Sequence, residues 1–188
     1  AGDIDAQGGL AADSPLRSRK LSALKPWGWS ADSAAVMAPL AAGAKAEIPW
    51  NEGVRDLYSK ATAATLLAGL ASDMPEAAAL AGIVARDAAA VSAAIARWLD
   101  DGHASVVLKA PWGLAGRSLL RVQSTALPSA QSAWIAAALA EQGSLVVEPW
   151  LDRAADFSVH YDVSPGALPV LRGMVRLHND SSGRFISC

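Results

Sequence analysis

The sequence predicts an α+β protein in which a helical N-terminal part is followed by a mainly antiparallel sheet with one long helix. Three observations support this fold class. Residues 30–102 are rich in alanine and carry helical apolar spacing. From residue 104 onward, short segments rich in valine and leucine alternate with turn residues. Residues 128–143, PSAQSAWIAAALAEQG, predict a single helix with proline near its start and glycine after its end.

The predicted N-terminal helices begin at polar or turn-forming residues. Ser30 and Asp32 can cap the first helix, and Pro49 and Asn51 open the second. The segment SKATAATLLAGLA continues this second helix, with Ser59 as a possible cap. The part of the chain before residue 102 is therefore expected to consist mostly of helices.

The clearest helix pattern is DAAAVSAAIARWLDDG, in which Asp87 is the predicted N-cap and Gly102 the stop. Its apolar stripe consists of Val91, Ile95, Trp98 and Leu99. The segment GIVAR at 82–86 predicts a short strand before it. The later predicted strands are ASVVLKA, RSLLRV, SLVVEPW, DFSVHYDV, LPVLRGMVRLH and Arg184–Ser187.

Composition limits the possible function classes. The chain has 188 residues, of which 52% are hydrophobic, and a net charge of -2. It can therefore bury a core, and it lacks the basic character of a nucleic-acid-binding protein. Its single cysteine, Cys188, excludes a disulfide framework and a cysteine-rich zinc site. Neither a membrane-spanning run nor a signal-peptide pattern is found, so we expect a cytoplasmic protein with no membrane partner.

A lysine ends an apolar strand in SVVLKAPWGLAGRSLLRV and is followed by a glycine-containing loop. Lys109, Gly113, Gly116 and Arg117 bring cations and accessible backbone N–H groups together, a combination that suits phosphate oxygens. The loop matches neither the P-loop nor the dinucleotide-binding glycine pattern. A hairpin turn with an exposed lysine is an equally good interpretation of this segment alone.

A second apolar strand ends in a carboxylate, in SLVVEPWLDRAADFSVHYDV. Glu148 is followed by Trp150 and Leu151, and Asp156 comes eight residues after Glu148. A carboxylate beside an aromatic and an aliphatic side chain suits an adenine pocket. Asp156 would then lie where a ribose hydroxyl could donate a hydrogen bond to it.

The two segments together resemble the ATP-grasp superfamily of carboxylate–amine ligases. That family shows an apolar strand ending in Lys-x-Pro, a glycine-rich flap, a helix, Val-Val-Glu-x-x-Leu/Ile, and an acidic residue followed by Phe-Ser/Thr-Val. All of these parts occur here in order, most specifically from Val106 to Val159. The resemblance implies an ATP-grasp-like fold in which ATP lies between two antiparallel sheets. It places the small lobe and the start of the large lobe in 56–188, and a linker with the remnant of an N-terminal α/β domain in 1–55.

The resemblance also implies roles for individual residues. Lys109 corresponds to the lysine that contacts the α-phosphate and the adenine edge, and Glu148 to the hinge acid. The backbone N–H of Leu151 would face adenine, and Asp156 would bind ribose, although the family more often has glutamate there. The flap over the β- and γ-phosphates corresponds to Gly113, Gly116 and Arg117.

Lys60 in YSKATAATLLAGL resembles an earlier family lysine that reaches phosphate, and a solvated lysine is an equally good interpretation. One part of the family pattern is missing. The magnesium-binding acid and Glu-x-Asn segment do not occur between Asp156 and Cys188. We therefore expect this chain to be a fragment, with ATP and Mg²⁺ as cofactors and the metal ligands beyond Cys188.

Two function classes remain open at this point. The first is an ATP-dependent ligase that, at full length, activates a carboxylate as an acyl phosphate and joins it to an amine or similar nucleophile, this chain alone being inactive. The second is a non-catalytic nucleotide-binding or protein-interaction module on the same scaffold. Neither the two substrates, nor the oligomeric state, nor the participation of His160, Arg172 and Arg176 in the site can be read from the sequence.

Overall fold

A computed structural model of the chain describes residues 5, 9–26, 28–44, 50–113, 118–152, 154–164, 166–180 and 185–188. The chain divides into two compact units, Ala1–Ser59 and Lys60–Cys188. Several helices and two antiparallel sheets confirm the predicted α+β class. No helix among the described residues has both the length and the apolar character needed to cross a bilayer.

The first unit contains helices and no strand among its described residues. Its elements are a 3-10 helix (Pro15–Ser18), α1 (Ala31–Ala44) and α2 (Glu52–Leu57). Ser30 confirms its predicted capping role, because the N–H of Ser33 donates to its Oγ at 3.1 Å and the N–H of Ser30 donates to the Ser33 Oγ at 2.8 Å. Asp32 instead lies in the first turn of α1.

The second predicted cap in this unit is also confirmed. Asn51 precedes α2, and its side-chain oxygen accepts the N–H of Val54 at 3.1 Å. Pro49, predicted to open the same helix, lies outside the described residues. The predicted continuation of this helix is wrong, because α2 ends at Leu57 and a separate helix begins at Lys60.

The second unit holds the remaining elements. These are α3 (Lys60–Gly69), α4 (Pro75–Ala79), β1 (Ile83–Ala85), α5 (Ala88–Asp100), β2 (Val106–Lys109), β3 (Leu119–Val122), α6 (Ser129–Gln142), β4 (Leu145–Pro149), β5 (Asp156–Asp162), β6 (Val170–Asn179) and β7 (Phe185–Ser187). Asp87 caps α5 as predicted, accepting the N–H of Ala90 at 2.8 Å. Gly143 ends α6 in the left-handed conformation, with φ 73°.

The first sheet has the strand order β1-β4-β2-β3, and every neighbouring pair is antiparallel. Strands β1 and β2 therefore run parallel to each other with β4 between them, and α5 connects them. Strands β3 and β4 are likewise parallel, separated by β2 and connected by α6. The β2–β3 hairpin joins these two interleaved strand–helix–strand segments. Its loop contains the predicted glycine flap.

The core lies between this sheet and its helices. Val106 and Leu108 of β2 and Leu145 and Val147 of β4 pack with apolar residues of α5 and α6. Because side chains alternate along a strand, the residues between them point to the opposite face of the sheet. That opposite face carries Lys109 and Glu148, and α3 packs against β1 and β4.

The second sheet has the order β5-β6-β7 and is antiparallel throughout. A β-bulge interrupts the β5–β6 register between His160 and Tyr161. Many apolar side chains of this sheet are exposed, among them Phe157, Val159 and Met174. The first sheet therefore supplies most of the buried core of the unit.

Candidate functional site

Lys109 pairs with Glu148 across two neighbouring strands. In the β2–β4 register Lys109 lies opposite Val146 and Glu148 opposite Val107, so the two charged residues are diagonal neighbours on one face. The Lys109 ammonium forms an ion pair with Glu148 Oε2, and the two side chains are 32% and 26% exposed. The lysine that ends the apolar strand therefore has a carboxylate partner that is also partly buried.

Lys60 brings a second cation to this pair. It is the first residue of α3, and its backbone N–H donates to the Pro111 carbonyl at 2.9 Å. Its ammonium donates to the carbonyl oxygen of Gly113. Lys60 therefore holds the first residues of the β2–β3 loop through both its backbone and its side chain.

The electrostatics of Lys60 reflect these surroundings. Burial lowers its pKa first, the nearby Lys109 ammonium lowers it further, and Glu148 acts in the opposite direction. We call Lys60, Lys109, Glu148 and the Gly113 carbonyl the lysine–glutamate cluster. It places two cationic side chains against one anionic side chain in a half-buried position, which favours the approach of an anion.

Further contacts fix the start of the flap loop. The N–H of Ala110 donates to the Ser118 carbonyl at 3.0 Å and closes the base of the hairpin. The N–H of Trp112 donates to the side-chain oxygen of Gln142, at the end of α6, at 3.1 Å. The described part of this loop is thus tied to its own strands and to helix α6.

Gly82, just before β1, determines how closely β1 approaches the cluster. A Cβ atom built there would lie 2.5 Å from Cγ1 of Val146 and 2.8 Å from Cγ of Glu148. Contacts this short require a shift of the neighbouring atoms. The absence of a side chain at residue 82 therefore lets the Glu148 side chain lie directly over this end of the strand.

A cleft of about 370 Å³ lies along the segment that leaves β4. We call it the linker cleft. Its lining consists of Trp150, Leu151, Asp152, Ala154, Ala155 and Asp156, and of Arg176, Leu177, His178, Asn179 and Asp180 at the end of β6 and just after it. Asn179 Nδ2 donates to Asp156 Oδ2 at 2.7 Å, so the Asp156 carboxylate is held at the start of β5.

The predicted site residues therefore fall into two groups. Lys60, Lys109, Gly113 and Glu148 meet in the lysine–glutamate cluster. Trp150, Leu151 and Asp156 line the linker cleft. Gly116 and Arg117 lie outside the described residues.

The structure adds residues that the sequence did not single out. Arg121 on β3 stacks over the ring of Trp150, with its guanidinium carbon 4.8 Å from the ring centroid. The sequence contains a signal for it, since Arg121 interrupts the apolar run LLRV. Of the three residues left open, Arg176 lines the cleft, while Arg172 pairs with Asp162 at 2.6 Å and His160 Nε2 lies 3.1 Å from Ser158 Oγ.

In chemical terms, the cluster can bind a multiply charged anion and the cleft can bind an adjoining polar group. Within the described ranges, no group of three or more His, Cys, Asp or Glu residues is placed to hold a metal ion. None of these side chains is therefore assigned to magnesium. No protein-family model matches the chain, and no curated protein matches its sequence.

Proposed function

We propose that this chain binds ATP, with the triphosphate at the lysine–glutamate cluster and the nucleoside in the linker cleft. It would do so as the nucleotide-binding part of an ATP-grasp-like ligase, which activates a carboxylate as an acyl phosphate and joins it to an amine or similar nucleophile. ATP supplies the transferable phosphoryl group in that chemistry. The proposal depends on one observation, the meeting of Lys60, Lys109 and Glu148.

The three residues come from distant parts of the chain and from three different elements. Charged side chains are seldom buried without a reason, and a half-buried pair of lysines sharing one carboxylate is electrostatically unfavourable until an anion arrives. Glu148 can balance the charge of only one lysine, and a triphosphate supplies the negative charge that balances the other. Charge-assisted hydrogen bonds from ammonium groups to phosphate are among the stronger polar contacts in proteins.

The chain's own residues have separate tasks in this proposal. Lys60 and Lys109 donate to phosphate oxygens, and Glu148 keeps the Lys109 ammonium in place at the end of β2. Lys60 also anchors the loop after β2 through the Gly113 carbonyl. Asp156, positioned by Asn179, accepts from a ribose hydroxyl. These tasks concern binding and orientation, and the metal that assists transfer would be held by other residues.

Calorimetric titration with ATP and with inorganic tripolyphosphate tests the proposal. Lys109→Met should weaken the binding of both ligands about tenfold to a hundredfold, as expected for one charged hydrogen bond. Glu148→Gln breaks the same ion pair but keeps both lysines, so tripolyphosphate should bind this variant at least as tightly as the unaltered protein. A purely structural ion pair would give equal losses of stability and no change in affinity.

The nucleoside half of the proposal has its own variant. Asp156→Ala should weaken ATP binding and leave tripolyphosphate binding unchanged, because the triphosphate has no ribose. Arg97→Ala is the matched control, since Arg97 pairs with Asp101 on helix α5. Parallel losses for ATP and tripolyphosphate in Asp156→Ala would assign this carboxylate to folding. Release of phosphate with candidate acids and amines then tests the ligase chemistry itself.

A further inference from the structure

Three residues from three neighbouring strands of the first sheet or their ends, Ser105 before β2, Arg121 in β3 and Trp150 after β4, hold one another in place. The Arg121 guanidinium stacks over the Trp150 ring, and its Nε donates to Ser105 Oγ at 3.0 Å. The N–H of Trp150 donates to the Ser105 carbonyl at 2.9 Å. Ser105 is only 1% exposed, so the residue that joins the other two is itself buried. We call these three residues the Arg121 bracket.

The sheet register explains why the bracket forms beside the lysine–glutamate cluster. Val107 lies opposite Arg121 on one side and opposite Glu148 on the other. Since side chains alternate along each strand, Ser105, Arg121 and Trp150 project from the same face of the sheet as Glu148. The bracket therefore lies at the point where β4 leaves the sheet and the lining of the linker cleft begins.

We infer that Arg121 is a positioning residue for nucleobase recognition, which holds the Trp150 indole as the stacking wall of the linker cleft. This inference rests on the proposed function. A planar aromatic side chain beside a cleft stacks readily on the flat face of a base. A cation over the indole fixes the ring, and the planar guanidinium does so better than an ammonium because it can stack and donate at the same time.

The cleft has dimensions and chemistry that agree with this role. Its volume of about 370 Å³ falls within the range of small-ligand pockets. Among the described residues of its lining, Trp150 offers the largest aromatic surface, and most of the others are polar or charged. Fixing that surface before binding lowers the entropy lost when a base stacks on it.

Two ligands separate this role from a direct phosphate contact by Arg121. Calorimetry with ATP and tripolyphosphate should show that Arg121→Ala weakens ATP binding about threefold to tenfold, the size of one cation–π contact, with tripolyphosphate unchanged. Arg121→Lys keeps the charge but loses the planar stack and the Nε donor, and should show the same selective loss. Arg97→Ala is the matched control, because Arg97 lies over the ring of Trp98, 5.5 Å from its centroid, on helix α5.

Each other result overturns the inference. Equal losses for both ligands would mean that Arg121 contacts phosphate, and full recovery of ATP affinity in Arg121→Lys would mean that charge alone matters. Unchanged ATP affinity in Arg121→Ala would show that the stack has no part in binding. If the unaltered protein binds neither ligand, the proposed function fails together with the inference, whereas binding of both with no effect of Arg121 removes the inference alone.

Discussion

Protonation of Lys60 is costly in the folded protein. Burial and the neighbouring Lys109 ammonium lower its pKa below the ordinary value of 10.5, and Glu148 does not fully offset them. Between the lowered pKa and 10.5 the unfolded chain binds more protons at this residue than the folded chain does. The contribution of Lys60 to the free energy of unfolding therefore rises with pH across that range.

Ligand binding should reverse this shift. A triphosphate beside Lys60 stabilises its charged form and raises its pKa, so ATP binding should take up a proton at pH values above the pKa of the free protein. We expect the contribution of Lys60 to ATP affinity to be greatest below that pKa and to fall as the pH rises through it. Calorimetry in two buffers with different ionisation enthalpies measures the proton uptake.

The control for this prediction is Lys60→Gln, which removes the titrating group and keeps a hydrogen-bond donor for the Gly113 carbonyl. Proton uptake and the alkaline fall in affinity should both decrease sharply in this variant. If they persist unchanged, the proton belongs to another group and Lys60 does not contact the anion.

Some residues of the candidate site could be identified from the sequence, and others could not. Lys109 and Glu148 could each be predicted as site candidates because each is a charge at the end of an apolar strand, whereas their ion pair was not predicted. Arg121 is also a charge in an apolar strand, but its partners depend on which strands are neighbours. Its contact with Trp150 needs the register of β2 with both β3 and β4, which no local pattern contains.

At the level of elements, the ends of the helices could be predicted from neighbouring residues, whereas the pairing of the strands could not. Asp87 and Gly143 mark the ends of helices α5 and α6 because capping depends on neighbouring residues alone. Helix α4 was not predicted, since its five residues are too few for a periodic pattern. The insertion of β4 between β1 and β2 follows from contacts between distant segments, and it is this insertion that brings Glu148 beside Lys109.

The close approach of β1 to β4 gives a test at this scale. Gly82→Ala should lower the free energy of unfolding by about 1–3 kcal/mol, because the new Cβ overlaps the fully buried Val146 side chain and Cγ of Glu148. Urea unfolding measures the loss.

Gly173→Ala is the matched control for Gly82→Ala. Gly173 also lies in a strand, β6, and a Cβ atom there meets nothing within 4 Å. Alanine restricts the unfolded chain more than glycine, so this variant should be neutral or more stable by about 0.5–1 kcal/mol. Equal destabilisation by both variants would contradict the role assigned to the Gly82 contact.

At the scale of the whole molecule, the candidate chemistry belongs to one unit. The lysine–glutamate cluster, the linker cleft and the Arg121 bracket all lie within Lys60–Cys188. The hydrogen bonds that position them, from Lys60 to the flap loop and from Trp150 to Ser105, are also internal to that unit. We therefore predict that the proposed nucleotide binding is retained when most of the first unit is removed.

Removal of residues 1–50 tests this division. The shortened protein begins at Asn51, the N-cap of α2. Helix α2 therefore stays complete before the start of α3. We expect its affinity for ATP and for tripolyphosphate to stay within about twofold of the full chain, because the hydrogen bonds that position the cluster and the bracket are internal to the second unit. Circular dichroism establishes that the shortened protein is folded, and calorimetry measures both affinities. A folded protein that lost more than about tenfold in ATP affinity, roughly 1.4 kcal/mol, would show that the first unit contributes directly to the site.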